Sequence, residues 1–351
     1  MKILIVVPSL SLGGAERVAS VLSTEFSRMG HIVKIILFDN KVEYRYSGEL
    51  ICINSPPSSC KFIKIFRFFQ RILLLRKIFK SEKPDRIFSF MESANIPSAL
   101  SGYPVVVSLR NNPERKHTFY ERFLIRYVYK LKNVKKVVVV SRRLEELLQI
   151  RYGIKKTVTI YNPIFLERSS VISEDLRGYQ PYILSVGRLH YQKNFDLLIK
   201  AFARSKASKE ARLIIVGDGP LKSYLNRLVS ELGLHGRVHL VGKKYNIGDY
   251  YAQASMFVLS SRFEGFPNVL IEALYYGLPV ISTDCPFGPR EIINQGFNGL
   301  LVENENERAM SEAIDRLYYD VELQNRFKIN ARKSVEHLSP EKIARKWLEI
   351  C

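Results

Sequence analysis

The chain has 351 residues, 46% of them hydrophobic and 25% charged, with a formal net charge of +20. That length fits two domains of ordinary size, and the composition excludes a disordered or collagen-like chain. No apolar run reaches the ~20 residues that a helical membrane span needs. The opening MKILIVVPS reads as a short strand ended by Pro8, without the length or cleavage site of a signal peptide. Cys52, Cys60, Cys285 and Cys351 follow neither metal-ligand nor disulfide spacing, so a reducing cytoplasm is the expected compartment. The charge is uneven: residues 1–180 carry 31 Lys and Arg against 15 Asp and Glu, and residues 181–351 carry 23 against 19. A basic half beside a near-neutral half suits a polyanionic partner, with nucleic acid, anionic lipid and a diphosphate-bearing substrate as candidates.

In chain order, residues 2–7 form a buried strand. A Ser/Gly-rich turn comes next, then a helix from about Ala15 to Met29, with Val18, Leu22 and Phe26 on one stripe and Gly30 at its end. The next strand is Ile32 to Phe38, so the chain opens with a βαβ unit and a parallel sheet. Gly13 and Gly14, in GGAER, let backbone N–H groups come close to a bound group, but the turn lacks the G-x-G-x-x-G dinucleotide fingerprint. Lys61 to Lys80 carries seven basic residues and no acidic one, with Lys64, Arg67 and Arg71 on a shared face. It reads either as a domain helix with solvated cations or as a peripheral contact with an anionic membrane. Nucleic acid is disfavoured because no recognised binding motif accompanies the charge.

Strands at Arg86 to Phe90 and Val105 to Leu109 lead to SLRNNP. A helix is expected from about Pro113 to Lys132, placing Arg115, Arg122 and Arg126 on one face. Val137 to Val140 is a strand, and Ser141 caps the helix after it. Residues 165–180 mix charge, Ser and Gly without periodicity and read as a linker between a first domain, 1–164, and a second, 181–338. The second domain repeats strand and helix: Tyr182 to Val186, the loop Gly187 to Asn194 with Arg188 and Lys193, Arg212 to Val216, GDGP, and Val238 to Val241. The strand Met256 to Leu259 then precedes SRFEGFPNVLIEAL, Ser261 to Leu274. Glu264 falls in the loop at that strand's end, and Glu272 lies about two helical turns into the helix beyond the loop. Pro279 to Ser282 and Gly299 to Val302 are further strands, separated by DCPFGPREII. Two such sets imply two doubly wound α/β domains facing across a cleft. In such sheets ligands bind outside the carboxyl ends of the strands, where a helix N-terminus receives an anion.

The string from Ser261 to Leu274 resembles the E-x7-E signature of retaining glycosyltransferases of family 4, with Glu264, Gly265, Phe266, Pro267, Asn268 and Glu272 in register. The resemblance implies the GT-B fold, two Rossmann-like domains, with residues 339–351 as a helix returning to the first domain. By similarity to the family, Arg188 and Lys193 contact the donor diphosphate and Glu264 the hydroxyls of the donor sugar. Glu272 takes the ribose hydroxyls, backbone N–H groups from Phe266 to Val269 face the phosphates, and Gly14 lies in the N-terminal glycine loop against donor and acceptor. No Asp-x-Asp pair is present, so cations in place of a metal are expected to stabilise the leaving diphosphate, with no cofactor. Where many relatives carry a histidine after the fifth strand of the first domain, this chain has Arg110, and His117 is not an obvious replacement.

SLRN before a basic helix, together with DCPFGPREII, looks like a narrower group. Its members add N-acetylgalactosamine or related sugars to polyprenyl-diphosphate-linked oligosaccharides. The resemblance makes Arg110, Arg115, Arg122 and Arg126 the acceptor-binding candidates. It implies a UDP-sugar donor and a protein peripheral on the inner face of the cytoplasmic membrane. The other readings are a non-catalytic polyanion-binding protein, which leaves the Glu pair unexplained, and a sugar-nucleotide epimerase of the same fold.

Overall fold

The computed structural model describes residues 1–11, 13–116, 118–165 and 176–350, with only the backbone described at residues 61, 115 and 116. The chain divides into two compact units, Met1–Phe165 with Leu338–Cys351, and Leu166–His337. Of the expected linker, residues 166–175 lie outside the described residues. Tyr179, near its end, sets its ring against His239 of the second unit, 4.9 Å between centroids.

The first unit runs β1 (Lys2–Val7), α1 (Gly14–Arg28), β2 (Ile32–Leu37), β3 (Glu49–Cys52), α2 (Lys61–Glu82), β4 (Arg86–Phe90), α3 (Glu92–Leu100) and β5 (Val105–Leu109). It continues α4 (Pro113–Lys116), α5 (Phe119–Val128), β6 (Val134–Val139), α6 (Arg142–Tyr152) and β7 (Thr157–Thr159). Its sheet is parallel, in the order β3-β2-β1-β4-β5-β6-β7. The strands are Val- and Ile-rich because helices cover both faces, so alternation gives way to continuous apolar runs.

The second unit runs β8 (Tyr182–Val186), α7 (Phe195–Arg204), β9 (Arg212–Val216), α8 (Lys222–Glu231), β10 (Val238–Gly242), α9 (Ile247–Gln253), β11 (Met256–Leu259), α10 (Asn268–Tyr275), β12 (Val280–Thr283), α11 (Pro289–Ile292), β13 (Gly299–Val302), α12 (Glu307–Tyr319) and α13 (Val321–Val335). Its sheet, β10-β9-β8-β11-β12-β13, is also parallel. In each sheet the strand order reverses once, between β1 and β4 and between β8 and β11. The crevice outside the carboxyl ends at such a reversal is where open α/β sheets bind ligands.

The last helix, α14 (Pro340–Glu349), belongs to the first unit. Ile164 N–H donates to Leu338 O at 2.8 Å. Trp347 is fully buried against Phe88 and Phe90, with centroid distances of 5.3 and 5.2 Å.

Two sequence expectations need correction. The helix expected over 113–132 is two helices, α4 and α5. Thr118 starts α5 with a capping box: its hydroxyl accepts from Glu121 N–H, and the Glu121 carboxylate accepts from Thr118 N–H at 2.8 Å. Arg115 therefore sits on a different helix from Arg122 and Arg126, and the single three-arginine face does not exist.

On α2, two of the four cations expected to meet an anionic surface, Arg67 and Arg71, are engaged within the protein, while Arg76 and Lys77 are exposed. Arg67 donates to Pro56 O and Pro57 O, Arg71 donates to Ser55, and the Arg71 guanidinium lies 4.5 Å from the Phe38 ring centroid. These two cations bind the 55–57 carbonyls and leave a different face of the helix exposed.

Candidate active site

The loops after β8 and β11 flank the reversal in the second sheet, and they carry Arg188, Lys193 and Glu264. The β8 loop is seated on the β9 loop: Gly187 N–H donates to Val216 O and Leu189 N–H to Asp218 O, both at 3.0 Å. Close approach there requires glycine. At Gly217 (φ +147°) a Cβ would lie 1.9 Å from Gly187 O. The loop ends in a short 3₁₀ turn, Tyr191–Lys193, and Asn194, with φ 52°, turns the chain into α7.

This geometry brings the Lys193 ammonium to 2.6 Å from Glu264 Oε1, and Ser261 Oγ donates to the same oxygen at 2.6 Å. Neither contact uses Oε2. Glu264 and Ser261 are buried, whereas Arg188 is exposed on the same loop. Cys285 sits near this pair. Burial first, and then the Glu264 charge, push its thiol up to about 12, so it stays protonated and is no nucleophile at neutral pH.

The DCPFGPREII segment braces the Gly265–Pro267 turn. Glu264 N–H donates to Pro286 O at 3.3 Å. Gly288 has φ +91°, and a Cβ there would fall 2.5 Å from Pro267 Cδ. Beyond the turn, Asn268 opens α10 with Pro267 at its N-cap, a residue that has no side-chain acceptor for the helix N–H groups. Val269 is in the first turn. Phe266 is buried and Asn268 half-buried. Glu272, in the next turn of α10, is buried and accepts from Tyr251 Oη at 3.0 Å. Tyr251 is held in turn by stacking on Tyr276, centroids 5.6 Å apart.

Two residues of this architecture carry no local sequence signal. Tyr251 reaches Glu272 from α9. Arg262 ties the β8 and β11 loops together: its backbone N–H donates to Gln192 O at 2.8 Å and its Nη1 to Tyr191 O at 2.7 Å. Its guanidinium also pairs with Glu305 at 2.9 Å and stands 4.2 Å from the Tyr191 ring centroid. Arg262 thus fixes the turn that aims Lys193 at Glu264. Removing the Tyr251 hydroxyl (Tyr251→Phe) takes this buried donor from the Glu272 carboxylate and should lower thermal stability by about 1.5–3 kcal/mol, the scale of a hydrogen bond to a charged group. Calorimetry on the two proteins checks this.

In the first unit, Gly13 and Gly14 lie between β1 and α1, with Gly13 as N-cap and Gly14 the first helical residue. A Cβ at Gly13 would fall 2.1 Å from Glu16 Oε2, so the glycine makes room for that carboxyl. Burial holds the Glu16 carboxyl above the usual carboxylate range. Arg110, at the end of β5, donates to Asn162 Oδ1 and lies 5.5 and 5.8 Å from the Phe90 and Trp347 ring centroids. Its Nε and Nη2 are enclosed without a protein acceptor among the described residues, and burial lowers its pKa to about 9. Arg122 is half-buried and Arg126 exposed on α5. Arg115 lies on α4, and His117 is outside the described residues. Among the described residues no group of three or more His, Cys, Asp or Glu could hold a metal ion.

The profile of the family described as glycosyl transferases group 1 matches residues 170–334, and that of glycosyltransferase family 4 matches residues 12–168. The chain is 32% identical to a Campylobacter jejuni N-acetylgalactosamine-N,N'-diacetylbacillosaminyl-diphospho-undecaprenol 4-alpha-N-acetylgalactosaminyltransferase, over 99% of this chain and 98% of that one. It is 28% identical, over 100% and 98%, to a GalNAc-alpha-(1->4)-GalNAc-alpha-(1->3)-diNAcBac-PP-undecaprenol alpha-1,4-N-acetyl-D-galactosaminyltransferase of the same organism. Among solved structures, Anabaena HepE in complex with UDP and glucose shares the fold, with a TM-score of 0.81 at 21% identity over 99% of this chain and 98% of that one. The full-length match to the first relative and the two adjoining family profiles, on two parallel-sheet units of GT-B type, establish that the chain belongs to the glycosyltransferases of family 4.

Proposed function

We propose that this glycosyltransferase moves a sugar, N-acetylgalactosamine or a related hexose or N-acetylhexosamine, from a UDP-sugar to a polyprenyl-diphosphate-linked oligosaccharide. The transfer would retain the anomeric configuration and serve surface polysaccharide or related glycan assembly on the cytoplasmic face of the membrane. The observation that carries this reading is the Lys193–Glu264 pair at the strand-order reversal, with Glu272 on the adjoining helix α10. Glu264 Oε2, unused by Lys193 and Ser261, accepts from the donor sugar's hydroxyls. The carboxylate of Glu272, oriented by Tyr251, accepts from the ribose hydroxyls. The diphosphate lies at the uncapped start of α10, among the N–H groups of Phe266, Asn268 and Val269.

Chemically, the acceptor hydroxyl oxygen attacks the anomeric carbon as the bond to the UDP oxygen breaks. The acceptor proton passes to the departing phosphate. Negative charge grows on the diphosphate, and Arg188 and Lys193 stabilise it there. These two side chains supply the charge a divalent ion would bring, so EDTA should leave turnover unchanged.

The first unit takes the acceptor. Arg110, with two guanidinium nitrogens lacking a protein acceptor among the described residues, and Arg115, Arg122 and Arg126 are the cations proposed to meet its diphosphate. Guanidinium–phosphate contacts are charge-assisted and worth about 1.5–3 kcal/mol each. The doubly substituted Arg122→Ala/Arg126→Ala protein should therefore lose about a hundredfold or more in kcat/KM on a prenyl-diphosphate acceptor, and little on the same sugar with a neutral aglycone. Equal losses on both acceptors would make α5 a structural helix only. A donor panel read by UDP release, on synthetic prenyl-diphosphate glycans, tests the whole reading. Binding without UDP release on any donor would favour a polyanion-binding protein instead.

A further inference from the structure

One face of α2 is apolar and unpartnered. Phe62, Phe66, Phe69 and Leu73 recur at helical spacing and are 85%, 68%, 59% and 68% exposed. Ile65, beside them, is exposed as well. The opposite side of the helix holds the buried Leu75 and Phe79, and a flank carries Arg67 and Arg71, bound to the 55–57 segment. Continuing the stripe along the same face, the last turns present Arg76, Lys77 and Lys80, all exposed. The face is thus apolar over its first three turns and cationic over its last, with no acidic residue between Lys61 and Lys80.

A second stripe lies on α5, where Phe119, Tyr120, Phe123 and Tyr127 are exposed and the Phe123 and Tyr127 rings meet at 4.4 Å. Arg126 borders it. Both α2 and α5 pack against α3, which puts them on the same side of the first unit's sheet. Large aromatic side chains rarely stand in water at this density, and scattered exposed residues do not line up along two helices that pack against the same third one. Aromatics with a cationic border are the composition of helices that lie in a membrane interface.

We infer that α2 and α5 form an insertion pad that sinks Phe62, Phe66, Phe69 and Leu73, with the aromatic residues of α5, into the headgroup–acyl boundary of an anionic bilayer. Arg76, Lys77 and Lys80 then sit at the level of the lipid phosphates. The charge complementarity selects the occupant: a water-soluble apolar partner would gain nothing from the cationic end, and a second copy would set like charge against like. The inference rests on the membrane part of the proposed function and adds its mode, apolar insertion in place of adsorption through Arg67 and Arg71. Among the described residues no helix is long and apolar enough to cross a membrane, so the contact is interfacial.

The test is flotation with vesicles of phosphatidylcholine, alone and mixed with phosphatidylglycerol. The intact protein should float with the mixed vesicles and stay bound in part at about 0.5 M salt, where adsorption by exposed charge is screened. Phe62→Ser/Phe66→Ser/Phe69→Ser/Leu73→Ser should lower the partition coefficient more than tenfold at every salt concentration. Arg76→Gln/Lys77→Gln/Lys80→Gln should lower it only on the anionic vesicles at low salt. An unchanged far-ultraviolet circular dichroism spectrum and a cooperative thermal unfolding transition certify the fold of each variant. Phe66→Trp gives a reading that needs no disruptive change: the one native tryptophan, Trp347, is fully buried, so a blue shift on adding vesicles reports the new side chain. Wild-type partitioning of the quadruple variant, or no shift from Phe66→Trp, overturns the pad, as would a concentration-dependent dimer that the quadruple variant abolishes. None of these assays involves sugar transfer, so failure of the pad and failure of the transferase reading are separately visible.

Discussion

Glu264→Ala is expected to lower kcat at saturating donor by about two to three orders of magnitude, the scale for losing one preorganised polar contact in the transition state. The substitution removes the carboxylate proposed to hold the donor sugar. It also strips Lys193 and Ser261 of the oxygen they share at 2.6 Å. From the sequence, Glu264 is a loop residue whose loss leaves folding intact, but in the structure it is a buried anion with a cation against it. Removing one partner of such a pair leaves a charge without its counterion, so thermal stability should fall as well, by about 1–3 kcal/mol given the partial exposure of Lys193. Glu264→Gln separates the two effects. It keeps the shape and the acceptor for Ser261 but leaves Lys193 without its counterion, so only part of the stability should return and most of the lost activity should not. Steady-state kinetics and thermal unfolding on both variants check this, and turnover near wild type in Glu264→Ala would remove the residue from the donor site.

Lys193→Ala should cost about 2–4 kcal/mol of transition-state stabilisation, read as a fall in kcat/KM of roughly thirtyfold to a thousandfold. The ammonium is placed by a chain of constraints. Gly187 leaves room for its stem, Arg262 holds the 3₁₀ turn, and Ser260 Oγ donates to Lys193 O at 2.9 Å. Arg188→Ala should fall in the same range of activity, with a different signature. Arg188 is exposed and Lys193 is paired to Glu264, so Arg188→Ala should leave stability untouched while Lys193→Ala lowers it. In a double-mutant cycle, Lys193→Ala and Glu264→Ala should couple strongly, because each removes the same contact. Additive losses would mean that the two residues act on separate parts of the donor.

The parallel sheets were legible in the sequence because buried strands such as KILIVV and VVVSL announce themselves by β-branched runs. So was the Glu264–Glu272 spacing. Other elements were hidden for identifiable reasons. Strands β3 and β7 are short edge strands of four and three residues, too brief for periodicity. Helix α3 contains Pro97, which argues against a helix locally and is accommodated in a short buried one. The break before α5 carried a readable signal, Thr118 three residues ahead of Glu121, outweighed by the basic residues on either side.

The misread face of α2 has another cause. Which side of that helix turns inward depends on the carbonyls of residues 55–57, which hold Arg67 and Arg71, and a helical wheel contains no such information. The same limit hid Tyr251 and Arg262, whose partners Glu272 and Tyr191 lie 21 and 71 positions away in the chain.

The most direct test of the central claim is the anomeric configuration of the product formed from a UDP-sugar and a synthetic prenyl-diphosphate glycan in the presence of EDTA. It can be read by the anomeric proton coupling alongside UDP release. An α-linked product from an α-linked donor, formed at an undiminished rate with the chelator, is the predicted result. A β-linked product, or turnover that disappears with EDTA and returns with Mg²⁺, would contradict a metal-independent retaining transfer built on Arg188, Lys193 and Glu264.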